Sequence, residues 1–461
     1  MNTIERSLTA IMILLACSSL TPATSRIKVI KLSITNPTSI HRPAENVVVN
    51  VADLKRIAPD FKPAAVIVTT SDAATLEEDA RTLQTTELPS QADDIDGDLK
   101  VDELAFQIEL RPKQTRIVTI AYGDQSTIAI LRSSYPKRTH AKFTTRFEGM
   151  GWESDITAWR LYFDKRNAID LYGKRRPGLY LELFGSPEYD YHEESPFGRD
   201  IYKIGNALGI GSVGALIDGK VLKVAEVSDR SWRIIADGPV RSIVELVYKG
   251  WKVGDRSIDL TSRMTIWAGE RGFEHRISAT NADDLVLVTG LPRKPGLSEV
   301  TSADVGASSQ IVGTWGYQVL MTGATATESL PDQNLGLMVF LSPANSSLRQ
   351  LPPDADNYLV SVQLKNGVAR WYIAAAWDQE GKPSVLPFVK DAKKKNSNAT
   401  LVFPSRFLTK REQFIDYARR TDASLTQPAK VSLLSTSATP QNRAGGRSHP
   451  EQAGLAVRRL S

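Results

Sequence analysis

The stretch Trp152–Phe163, WESDITAWRLYF, decides how this chain is read. It reads as a β-strand, in which side chains alternate between two faces. Trp152, Ser154, Ile156, Ala158, Arg160 and Tyr162 then share one face, and Trp159, Leu161 and Phe163 lie on the other. One face thus carries two aromatics and an arginine. Outward from it, the same period recurs in IKVIKLSIT, NVVVNV, AAVIVTT, ELAFQIEL, RIVTIAYG, GLYLELFG, SIVELVYKG, RSIDLTSRMTIWAG and LGLMVFLS. It recurs again in YLVSVQLKNGVARWYIAAAW, where Asn366-Gly367 is a two-residue hairpin signal. Helical periodicity is confined to ATLEEDARTLQ and PSRFLTKREQFIDYARR. The expected class is all-β, a large antiparallel β-sandwich with a smaller amino-terminal β-region.

Composition divides the chain further. SLTAIMILLAC, too short to span a bilayer and preceded by Arg6, is the apolar run of a signal peptide over residues 1–25. Cys17 follows LLA as in a lipobox, leaving lipidation there or cleavage near TPATS as alternatives. The expected location is therefore outside the cytoplasm, periplasmic or anchored to the outer membrane. Cys17 is the only cysteine, so no intramolecular disulfide can form. The amino-terminal β-region is assigned to 26–135 and the main sandwich to 136–422, with the boundary in SSYPKRTHAK. Residues 423–461, rich in Ser, Thr, Pro, Gln, Gly and Arg, read as a disordered tail. Lys430, Arg443, Arg447, Arg458 and Arg459 against Glu451 give that tail most of the net charge of +5. The remainder is near neutral, which argues against nucleic acid as a partner.

Three groups of residues could carry chemistry. In DDIDGDLKVDEL, Asp94, Asp96, Asp98 and Asp102 alternate in a tight loop, a pattern suited to a structural calcium ion. Leu99 and Ala105 stand where an EF-hand loop needs glycine and a bidentate acid. In YDYHEESPFGRDIYKIGNALGIGSVG, His192 lies among Tyr191, Asp200 and Tyr202, in a polar setting where an imidazole can exchange protons. Its glycines let the backbone pass close to a ligand or a strand. On the strands, Arg263 and Trp267 share the face opposite Ile258, Leu260, Met264 and Ile266, and Arg241 is placed to pair with Glu245. Sugars stack on aromatic rings, and a sugar acid adds a carboxylate that arginine can hold. Trp152, Arg160 and Tyr162, beside Arg263 and Trp267, supply those elements.

LPSQADDIDGDLKVDELAF, WESDITAWRLY, YHEESPFGRDIYKIGNALGIG and GPVRSIVELVYKGW, in this order, resemble the blocks of the secreted bacterial family known as domain of unknown function 4861. The resemblance runs from about Lys28 to Phe407, and departs where Ser154 replaces an expected Asn and Leu99 an expected Gly. It implies a galactose-mutarotase-like supersandwich and an association with polysaccharide breakdown. One member of the family is described as a dehydratase of ulvan oligosaccharides. On that resemblance the expected activity is removal of water from a terminal uronic acid, with no cofactor required. Arg160 and Arg263 would hold the carboxylate, His192 would act as base or acid, and Tyr202 or Tyr191 would be its counterpart. Trp152 would stack on the ring, with Tyr162, Lys174, Asp200, Arg241 and Trp267 as further substrate contacts. A glycoside hydrolase using two of Glu153, Asp155, Glu245 and Glu274, or a non-catalytic sugar-binding lipoprotein, are the alternatives.

Overall fold

Trp152–Phe163 is a hairpin, not one strand. The computed structural model describes residues 27–71, 85–192, 195–282, 284–322, 326–341, 349–382 and 407–437. In it Gly149–Ser154 and Ala158–Tyr162 pair antiparallel with Trp152 opposite Trp159. The turn is made by Ser154, whose hydroxyl accepts from the amides of Ile156 at 3.0 Å and Thr157 at 3.3 Å. Residues opposite one another share a face. Both indoles therefore enter the core, while Arg160 and Tyr162 point away from it.

That core lies between two layers. One is an eight-stranded sheet ordered Asp229–Asp237, Arg241–Val253, Arg256–Trp267, Gly272–Thr280, Val368–Trp377, Ala326–Leu341, Gln310–Thr322 and Ser298–Thr301. Two five-stranded sheets form the other layer. The first, here the hairpin sheet, is ordered Gly198–Asp200, Ile169–Lys174, Ala158–Tyr162, Gly149–Ser154 and Thr139–Thr144. The second runs Lys220–Lys223, Gly214–Ile217, Leu287–Pro292, Asn357–Val362 and Arg349–Gln350. Ile258, Leu260, Met264 and Ile266 face inward as their alternation requires, against Trp152, Trp159 and Leu291. Phe273 is the wedge, meeting Trp152 edge-on at 5.0 Å and Trp159 at 4.9 Å.

Asn366 and Gly367 both take left-handed φ, 53° and 73°, and the turn is closed by Lys365 and Val368. Beyond it the flanking strands part, one into each layer. GLYLELFG contains the short helix Leu181–Phe184 instead of a strand. Gly211 bends a loop against the large sheet with φ +69°, and a Cβ there would lie 2.3 Å from Ile373. Its carbonyl accepts from Trp371 Nε1 at 2.9 Å and lies 3.0 Å from His275 Nδ1, so His275 is a core residue.

The outer face of the large sheet is covered as well. Strands Lys430–Ser437, Lys28–Thr35, Thr115–Tyr122, Ile67–Ser71 and Thr85–Leu88 form one amino-terminal sheet, and Arg42–Asn50, Glu103–Leu110 and Ser90–Asp93 another, with an apolar core between them. The three-stranded sheet docks on the large sheet through Val48, Ala105, Val240 and Trp267. Helix Arg411–Thr426 covers another part, packing Phe414 and Ala418 on Met338 and Phe340. The expected tail is therefore structured as far as Ser437. Val431 and Leu433 alternate inward among serines and threonines, and Lys430–Ser437 completes a sheet beside Lys28–Thr35. Residues 438–461, the expected signal segment with Cys17, and ATLEEDARTLQ at 74–84 lie outside the described residues.

Replacing Phe273 by Ala empties the contact between the layers and should cost about 3–5 kcal/mol; a loss below about 1 kcal/mol in urea unfolding would contradict the wedge. His140 bonds Asp237 through Nδ1 at 3.1 Å and Glu182 through Nε2 at 3.0 Å, and the Asp237 bond raises its pKa. With the folded pKa above the unfolded value of about 6.5, this stabilisation is complete below that pH and is lost as pH rises through the folded value. His140→Gln should therefore destabilise the protein more in acid than in mild alkali, and an equal loss at both would exclude the linkage.

Candidate functional site

Arg160 stands opposite Asp170 in the hairpin sheet, on the face turned away from the core. Its guanidinium has 0% exposure, so its charge must be neutralised by protein. Nε donates to Asp170 Oδ1 at 2.9 Å, and Nη2 donates to Asp170 Oδ2, to Asp200 Oδ2 at 3.0 Å and to the Tyr162 hydroxyl at 2.5 Å. Nη1 reaches the Tyr191 hydroxyl at 3.3 Å. The rings of Tyr162, Tyr172 and Tyr191 surround it at 4.2, 5.1 and 5.3 Å. Burial raises the Asp170 pKa, opposed by the charge of Arg160. Arg160 is thus a buried structural cation, with no surface left for a substrate carboxylate.

Its partners build a cleft beside it. Tyr162, Arg166, His192, Asp200, Tyr202, Lys203 and Lys223 meet around a volume of about 240 Å³. Arg166 lies over the Tyr162 ring at 3.9 Å and pairs with Asp164 and Glu148. His192 bonds Asp190 Oδ1 through Nδ1 at 3.0 Å, and its ring lies 4.2 Å from that of Tyr191. Asp200 accepts from the Tyr202 amide at 2.9 Å. The Tyr202 hydroxyl is buried without a hydrogen-bond partner among the described residues, and burial raises its pKa. Burial also lowers the Lys223 pKa. Neither the Lys203 nor the Lys223 ammonium has an ion pair among the described residues, so both are available to an anion.

The structure brings His192, Tyr202, Tyr162 and Asp200 together at the cleft, with Arg160 and Tyr191 behind them, and leaves the other expected residues elsewhere. Trp152 is fully buried against Phe273, and Trp267 is buried under the three-stranded sheet, so neither offers a face to a sugar. Arg263 lies on the far side of the large sheet and shares Glu245 with Arg233. Arg241 does not pair with Glu245; it holds Asp93 and Glu103, each at 2.7 Å, and fastens the three-stranded sheet to the large one. Lys174 is buried on Glu153 at 2.5 Å and on the carbonyls of Ser154 and Gly178. Of the carboxylates considered for hydrolysis, Glu153 is thus committed to Lys174, Asp155 to Arg138 and Glu245 to two arginines, while Glu274 faces Arg370 at 4.0 Å.

In the acidic loop, carboxylate oxygens of Asp94, Asp96 and Asp102 lie within 4.8 Å of one another, while Asp98 is drawn off to Lys100 at 2.7 Å. Leu99, with φ 67° and 94% exposure, holds a left-handed position that glycine takes without strain. The three carboxylates partly fit a calcium ion, and Arg233 binds the loop carbonyls of Ile95 and Asp96 to the large sheet. A larger groove of about 1560 Å³ runs between the amino-terminal sheets, helix Arg411–Thr426 and the loop at Glu270. On its floor Tyr417 donates to Glu270 Oε2 at 3.1 Å.

Asp170, Arg166, Lys203 and Lys223 were not singled out from the sequence. The signal for Asp170 was present: a lone acid between apolar residues in NAIDLYG, one hairpin away from an equally lone arginine. The lysines gave none, because only the meeting of two sheets makes them neighbours.

Asp170→Ala strips the main counter-charge from a buried guanidinium and should cost about 3–5 kcal/mol, whereas Arg160→Met with Asp170→Leu should cost less than that single change. Equal losses in urea unfolding would mean that charge pairing does not govern this layer.

Uncharacterized protein P7 of Formosa agariphila is 24% identical over 238 residues, which cover 46% of this chain and 57% of that protein. A protein in glycosyl hydrolase family 38 from Enterococcus faecalis aligns with TM-score 0.43 and 10% identity, over 89% of this chain and 47% of that one. An alpha-mannosidase from Enterococcus faecalis V583 gives TM-score 0.41 and 9% identity, over 90% and 47%. The chain spans about half the length of the proteins it matches. Residues 34–385 match a single family along most of the chain, and the protein belongs to that family, described as Domain of unknown function (DUF4861).

Proposed function

We propose that this protein is an exported carbohydrate-active lyase that removes water from the terminal uronic acid of an oligosaccharide, with the cleft beside Arg160 as its active site. The observation that carries this is the set of cations there. Lys203 and Lys223, unpaired among the described residues, stand with Arg166 around a volume suited to one sugar ring. A half-buried ammonium gains most from a ligand that brings the opposite charge, so a carboxylate on that ring is favoured.

Elimination needs three things. The C5–H bond, beside the carboxylate, breaks as a base takes the proton; a cation stabilises the enediolate that develops. The C4–O bond then breaks, an acid supplies a proton so that the oxygen departs as water, and a C4–C5 double bond remains. His192 is assigned as the base. Tyr202, held protonated by burial, is assigned as the acid. Lys203 and Lys223 take over the carboxylate-holding role first expected of Arg160 and Arg263. Hydrolysis is less favoured, since Asp200 is the only described carboxylate lining the cleft and Arg160 holds it.

Oligosaccharides ending in a 4-hydroxyl uronic acid should lose one water and gain absorbance in the low ultraviolet on incubation with the protein. His192→Ala should abolish this, and Lys223→Met should raise KM at least tenfold, the scale of one lost charge-assisted contact of about 1.5–3 kcal/mol. A gain of one water would indicate a hydrolase, and an unchanged mass a binding protein.

A further inference from the structure

Trp232 is the one tryptophan among the eight that stands among the exposed large apolar residues, at 43% exposure. It lies on Asp229–Asp237, the edge strand of the large sheet, and meets Phe143 of the hairpin sheet's own edge strand. The two rings are stacked, with centroids 4.6 Å apart and planes inclined by 10°. Phe143 therefore covers one face of the indole, and the exposed area belongs to the other face and the rim. Phe143 in turn rests edge-on against Phe163 at 5.7 Å, which fixes the indole from behind.

This surface continues into the cleft. Phe163 begins the loop that carries Arg166. Arg230 sits two residues before Trp232, on the same side of the strand, with its guanidinium 5.9 Å from the Phe163 ring. It also donates to the carbonyl of Ala225 at 3.0 Å, two residues beyond Lys223 of the cleft wall. Two residues along a strand span about 6.6–6.8 Å, so the indole stands one step outside Arg230, which itself adjoins the cleft.

We propose that Trp232 is a stacking platform for a sugar unit of the same oligosaccharide, lying outside the cleft that takes the terminal unit. The proposal rests on the acidic-oligosaccharide reading of that cleft. The ligand class is a pyranose chain longer than the cleft can enclose. A flat, rigid ring open on one face presents to such a chain the surface its C–H face requires, at little entropic cost. A plug for the flank of the sandwich would instead be buried on both sides.

The test uses uronic-acid oligosaccharides of two and four units, with affinity measured by calorimetry and tryptophan quenching by iodide. In the wild-type protein affinity should rise about tenfold from two units to four, the scale of one aromatic contact, and the tetramer should shield tryptophan from iodide. Trp232→Ala should abolish both the rise and the shielding, and Trp232→Phe should restore part of the rise. A wild-type protein that binds both lengths equally, or a Trp232→Ala variant that keeps the rise, would overturn the platform. Because quenching is read on the unaltered protein, a variant that fails to fold still leaves the proposal exposed to refutation. Length-dependent binding with shielding but no water loss at any length would uphold the platform and defeat only the lyase assignment.

Discussion

A guanidinium without solvent contact, Arg160, organises the outer face of the hairpin sheet. Leaving it unpaired would be strongly destabilising, and the sheet supplies Asp170 from the neighbouring strand, Asp200 from the next one and the rings of Tyr162 and Tyr172, with Tyr191 added from a turn. Those same groups cannot serve as free ligands. Their shared geometry instead holds Tyr162 and Asp200 in the cleft wall and Tyr191 behind His192, so that the structural cation shapes a cleft whose other walls carry Arg166, Lys203 and Lys223. Charge demand in the interior thus sets the arrangement at the surface.

The large sheet shows why aromatic and cationic strand residues could not be assigned from one chain segment. Both of its faces are covered: one by the two five-stranded sheets, the other by the three-stranded sheet and helix Arg411–Thr426. Trp267 and Arg241 alternate outward as their spacing requires, but outward here means into a second interface. There the indole is apolar filling, and the arginine, bonded to Asp93 and Glu103, is a clamp between layers. The cleft and Trp232 both lie on a flank where sheet edges meet.

Much of the architecture was legible in the sequence. Alternation in Arg256–Trp267 gave the inward set correctly, Asn366-Gly367 made its turn, and the periodicity near residues 404–420 marked a helix. The turn at Ser154–Thr157 was not, because one serine hydroxyl makes it and no Gly or Pro announces it. That single turn reverses the faces of Trp152 and Arg160 relative to one another, so a local error became an error about the site. The strand Lys430–Ser437 was hidden by its Ser and Thr content, since Val431 and Leu433, which pack inward, stand among serines and threonines. At the cleft, His192, Tyr202 and Asp200 could be placed together from the sequence because one short segment carries all three. Lys223 could not, because its neighbours are supplied by a different sheet.

The most direct measurement is a crystal structure of the protein with a uronic-acid trisaccharide bound. The terminal carboxylate should lie at the ammonium of Lys203 or Lys223, with the C5 hydrogen directed at His192 and Arg160 still enclosed by Asp170 and Asp200. A sugar bound instead in the groove at Glu270 and Tyr417, with the cleft holding only water, would contradict that placement.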